Sequence, residues 1–173
     1  MIAPFLAALS IAAAFIQVSV PAHWWPLDLP LLVTAFAGLS RGRGWGLACG
    51  VLAGFSLDTL LGSPPGLRLA PLAFAGALAD TLQTGVNRDQ PRLQVFAVLA
   101  LTLAHDALLS LFARRFGTPE YGLRRVLFEY EMPRLAAQAV ACLPLFWALG
   151  LVVRQRVFLD PRQRRVKLIR RWP

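Results

Sequence analysis

Six apolar stretches follow one another along this chain with little but short loops between them. That succession constrains the fold more than any other feature. The stretches cover residues 2–20, 27–40, 45–62, 67–86, 93–113 and 133–153. A membrane-crossing helix needs about 20 predominantly apolar residues, and five of the six are close to that length. The second, at 27–40, makes only about 21 Å of helix. At that length a crossing needs its flanks, local thinning of the bilayer or burial by neighbouring helices.

Charge is scarce enough to exclude most soluble folds. Charged residues make up 16% of the 173 positions and hydrophobic ones 57%, whereas a soluble domain carries about a quarter charged. Too little polar surface remains to coat a water-soluble sphere. The sequence therefore predicts an all-α integral membrane protein. Residues 1–153 form six transmembrane helices in a compact bundle, and residues 154–173 form a basic tail. The first run lacks a basic leader, so it reads as an uncleaved helix rather than a removed signal. Cys49 and Cys142 both lie in apolar runs and read as buried small hydrophobes.

The net charge of +9 is unevenly placed. With six spans and the N-terminus inside, the cytoplasmic segments hold Arg41, Arg43, Arg88, Arg92 and the eight basic residues of the tail. The outer segments hold Arg68, Arg114, Arg115, Arg124, Arg125 and Arg134. Twelve against six predicts both termini in the cytoplasm. Between spans five and six, Leu123, Val126, Leu127 and Tyr130 recur at i, i+3, i+4 and i+7. That pattern is one stripe of a helix, and it predicts an amphipathic helix on the outer surface. The tail interleaves its basic residues with apolar ones, which suits anionic inner-leaflet lipids. No nucleic-acid-binding motif accompanies them.

The third run carries the sharpest pattern: Gly46, Gly50, Gly54, Asp58 and Gly62 recur every four residues. Such a series forms a slowly drifting stripe down one side of a helix. Without side chains it admits another backbone closely. The neighbour is either a helix of this chain or the helix of a separate protein. Asp58, Asp80 and Asp106 lie inside apolar runs, where a charge facing lipid costs at least about 2.5–3.5 kcal/mol. Each should face protein or a water-filled cavity, pinning helices together or forming an ion or ligand site. Alternating spans put Asp58 and Asp106 toward the outer side and Asp80 toward the cytoplasm. Arg68 is a candidate counter-ion for Asp58. His105 and Asp106 point about 100° apart on a helix, which argues against a catalytic pair. No hydrolase, metal or phosphate-loop motif appears, so neither enzyme activity nor a cofactor is expected.

Several of these residues resemble a known family. Pro26-Leu27-Asp28-Leu29-Pro30-Leu31-Leu32 is similar to the opening of the second span in the rod shape-determining protein MreD family. Residues 50–66 resemble that family's G-x-x-x-G-x-x-x-D-x-x-x-G-x-x-x-G stretch, with Asp58 as the aspartate. Asp106 in span five, and Gln138 followed by Pro144 in span six, are similar as well. The resemblance implies a non-enzymatic scaffold in the bacterial inner membrane. Such a scaffold binds the single-span protein MreC and is linked to MreB filaments and the peptidoglycan synthases of elongation. The family also resembles the six-helix capture subunits of energy-coupling-factor vitamin transporters, which supplies the alternative function.

Overall fold

The computed structural model describes residues 2–20, 27–83, 91–115 and 132–157, and all regular structure among them is helical. The helices are α1 (Ile2–Ser19), α2 (Leu29–Arg41), α3 (Arg43–Leu61), α4 (Leu69–Gln83), α5 (Pro91–Arg115) and α6 (Met132–Val157). Each overlaps one of the six apolar runs. Three contain stretches long and apolar enough to cross a membrane, namely Arg43–Leu61, Arg92–Arg115 and Met132–Leu151. The remaining three are shorter apolar helices. The stripe of Leu123, Val126, Leu127 and Tyr130 lies outside the described residues, as does the tail beyond Val157.

Helix α2 explains its own shortness. Asp28 caps its N-terminus, its Oδ1 accepting the Leu31 N–H at 3.1 Å, and Pro30 occupies the first turn. The missing N–H of a first-turn proline would have had no helical partner. Every residue from Pro30 to Gly38 is buried, with α1, α3, α4, α5 and α6 all in contact with the helix. A helix enclosed by protein on all sides has no lipid to match in thickness.

Gly42 alone separates α2 from α3. Its φ of +95° suits a residue without Cβ, and its N–H donates to the Gly38 carbonyl at 2.9 Å while its carbonyl begins the α3 ladder. The chain thus reverses in one residue, and α2 and α3 run antiparallel in close contact. The core gathers Leu6 and Ala14 of α1, Leu31, Leu32 and Phe36 of α2, Leu57 of α3, and Leu72 and Ala75 of α4. Val98 and Leu101 of α5, with Cys142, Phe146 and Leu149 of α6, complete it. Phe36 and Phe146 meet edge to face with ring centroids 5.4 Å apart, an arrangement favoured by the ring quadrupoles.

The glycine stripe is filled from within. A Cβ built on Gly46 would stand 2.8 Å from the Gly38 Cα and still closer to the Gly76 carbonyl oxygen. At Gly50 it would lie 2.8 Å from the Ala73 Cα, and at Gly54 2.8 Å from the Leu69 nitrogen. Real Cβ atoms do not approach backbone at these distances, so α4 packs on α3 backbone to backbone. Between an internal neighbour and a separate protein's helix, α4 is the occupant at Gly46, Gly50 and Gly54. Gly62 has another role: with φ +61° it terminates α3, and its N–H reaches the carbonyls of Asp58 and Thr59.

Candidate functional site

Two polar clusters stand at one end of the bundle, where α2, α4 and α6 begin and α1, α3 and α5 finish. The first is built on Asp58, 4% exposed in the last turns of α3. Its Oδ2 accepts the Gly66 N–H at 2.9 Å and the Leu69 N–H at 3.3 Å. Its Oδ1 accepts the Arg68 N–H at 3.0 Å and the Ser63 hydroxyl at 3.2 Å. One carboxylate thus closes the α3–α4 turn and caps α4 from another helix. The N–H groups at a helix start have no helical acceptor, and the helix dipole there favours an anion.

Arg68 enters this cluster through its backbone, not as the expected counter-ion. No ion pair joins its guanidinium to Asp58 among the described residues, because the N–H groups already supply the carboxylate with partners. Asp58→Asn turns one acceptor oxygen into an NH2 group facing N–H donors. The substitution is expected to lower stability by about 2–4 kcal/mol, read as a fall in the unfolding midpoint of the detergent-solubilised protein. An unchanged midpoint would remove the carboxylate from this role.

The second cluster joins three helices. Arg134, in the first turn of α6, donates from Nη1 to Asp106 Oδ1 of α5 at 2.7 Å. Its Nη2 donates to Asp28 Oδ2 of α2 at 2.5 Å. His105 Nδ1 lies 3.0 Å from the same Asp106 oxygen, and the ring is buried. Neighbouring positions on a helix do not share a face, yet His105 Nδ1 and Asp106 Oδ1 lie within hydrogen-bonding distance. Gln138, fully buried one turn below Arg134, donates from Nε2 to the Asp28 carbonyl at 3.3 Å. From the other side, Gln17 of α1 accepts the Leu29 N–H at 3.1 Å. The N-terminus of the central helix is therefore tied to α1 and α6 directly, and to α5 through Arg134.

Asp80 belongs to neither cluster. Its Oδ1 is 3.5 Å from where a Cβ of Gly42 would stand, so it sits at the opposite end of the bundle, beside the α2–α3 junction. Asp58, Asp106 and Gln138 are thus brought to one end and Asp80 is excluded from it. Sequence reasoning singled out neither Arg134 nor Gln17 as a site residue, and saw Asp28 only inside a family motif. The sequence Asp28-Leu29-Pro30 carries a readable capping signal; the partners of Arg134 lie 28 and 106 residues away and leave none. Gly38 and Gly76 complete the contact with Gly46; helical spacing does not say which faces of different helices meet.

The chemistry available here is that of a clamp. Arginine's planar fork can serve two carboxylates at once, which a lysine cannot do with the same geometry. Among the described residues, no group of three or more His, Cys, Asp or Glu side chains stands ready to share a metal ion. No protein-family model, curated protein or solved structure matches this chain.

Proposed function

We propose that this chain is a non-enzymatic, multi-pass scaffold of the bacterial inner membrane, resembling the MreD family. In this reading all six helices cross the bilayer, both termini are cytoplasmic, and the two polar clusters lie toward the outer face. The chain binds MreC through that protein's transmembrane helix and joins the elongation machinery with MreB and the peptidoglycan synthases. Its basic tail rests on anionic inner-leaflet lipids. One observation carries the reading. The polar residues of the family-like segments are engaged with other parts of this chain, Asp58 with the α3–α4 turn and Asp106 and Gln138 with the start of α2. They act as fastenings of a rigid body, which suits a protein whose work is to hold others.

The test is co-purification. The tagged chain, co-expressed with MreC and extracted in mild detergent, is expected to retain MreC through size exclusion. Retention of a vitamin in place of MreC would overturn the scaffold and establish the capture-subunit function. Loss of MreC with no bound small molecule would also overturn it.

A further inference from the structure

Helices α5 and α6 are attached to the rest of the bundle more loosely than its other members are to one another. Helices α3 and α4 meet backbone to backbone at Gly46, Gly50 and Gly54, and α1 and α2 pack broadly on α3. Helix α5 packs on α4 and on α6, α6 leans mainly on α5, and both touch α2 sparingly. Burial follows the same division: in an 18-residue apolar stretch 39% of α3 is buried, against 22% of α5 and of α6. Between helices in a membrane, attraction comes from close van der Waals packing and from hydrogen bonds. A pair with sparse packing depends the more on its polar links.

Two such links end on one residue of α2. Arg134 Nη2 donates to the Asp28 carboxylate and Gln138 Nε2 to the Asp28 carbonyl, both from the start of α6. Further along the same stripe of α6, at i+4 and i+8 from Gln138, come Cys142, fully buried, and Phe146, which meets Phe36 of α2. The closed position also carries a penalty: Gln138 Oε1 is buried with no hydrogen-bond partner, an unmet acceptor that water would satisfy. Arg134, Asp28 and Asp106 keep 22%, 13% and 12% of their side chains exposed, so water has access to these bonds as they break. We propose that α5 and α6 form an arm latched to α1–α4 through Asp28, and that releasing the latch parts α6 from α2 without unfolding either helix. The surface uncovered is the α6-facing side of α2, from Asp28 to Phe36. Regions with few buried contacts are the ones that open below the free energy of global unfolding. The inference rests on the packing alone and does not require the scaffold function.

Two native cysteines, both free and buried, report on the two parts. Cys142 lies on the α6 stripe that would part from α2, and Cys49 lies on α3, where its thiol pairs with the Ser10 side chain of α1. The full chain in lipid nanodiscs is treated with N-ethylmaleimide, and each cysteine's labelling is followed by mass spectrometry and scaled to its rate in the denatured chain. Cys142 is expected to label about tenfold or more faster than Cys49. Arg134→Lys keeps the charge and loses the fork; it is expected to speed Cys142 about three- to tenfold and to leave Cys49 unchanged. Equal rates at the two cysteines of the parent chain would mean that both are reached only by global unfolding, and would overturn the proposal. A Cys142 rate that Arg134→Lys does not raise, or a rise shared by both cysteines, would also overturn it.

Discussion

Arg134→Met is expected to destabilise the bundle by roughly 3–5 kcal/mol, because it removes the guanidinium that two partly buried carboxylates on different helices share. Asp28 Oδ2 and Asp106 Oδ1 both depend on this guanidinium, and the loss reaches α2, α5 and α6 together. The expected measurement is an early, broadened unfolding transition in detergent. Arg134→Lys should recover only part of the loss, since an ammonium does not reproduce the fork. Removing all three charges, as in Asp28→Asn/Asp106→Asn/Arg134→Met, should recover most of it. Asparagine keeps the α2 cap, and exchanging a whole ion cluster for neutral groups is often near neutral. If Arg134→Met unfolds with the parent, the cluster does not hold the helices.

Gly46→Leu is expected to be as damaging for a steric reason. The new side chain would start within van der Waals distance of backbone on two other helices, at Gly38 and Gly76. Backbone cannot swing aside as the end of a flexible side chain can, so α3 must separate from α2 and α4 together. Overpacking of side chains alone typically costs about 1–3 kcal/mol, and a three-helix backbone contact should exceed that. The readout is failure to recover a monodisperse species by size exclusion. Gly150→Leu, placed in open space, should be recovered normally as a folded protein. A monodisperse Gly46→Leu protein with a parental midpoint would show that α4 does not close on this stripe.

These two positions also show how far the chain could be read before its structure was known. Gly46 was visible as part of a four-residue repeat, and the repeat announced close packing. The identity of the neighbour was not visible. Helical spacing states which residues share a face but not what comes to lie on it. Arg134 was visible only as a charge to be counted for orientation. Its partners lie on helices separated from it by one loop in one case and by most of the chain in the other. Asp58 stood between these extremes: its burial followed from its place in an apolar run, while the N–H groups it accepts come from the turn that follows. The expectation of Arg68 as counter-ion chose the nearest positive side chain. The structure satisfies the carboxylate with backbone donors, which are present in any turn and leave no mark in the residue types.

The sequence by itself determined that the described segments would be helical, which faces were small or apolar, and that a membrane suits them. Those properties come from local periodicity and from the energy of moving side chains out of water, and both can be read one residue at a time. Only the tertiary structure decided that the shortest helix is the central one, that α4 fills the glycine stripe, and that Arg134 spans Asp28 and Asp106. Each of these depends on which helices meet and at what depth. That is a property of the packed bundle as a whole, because a helix face has no preferred partner until the other faces have found theirs.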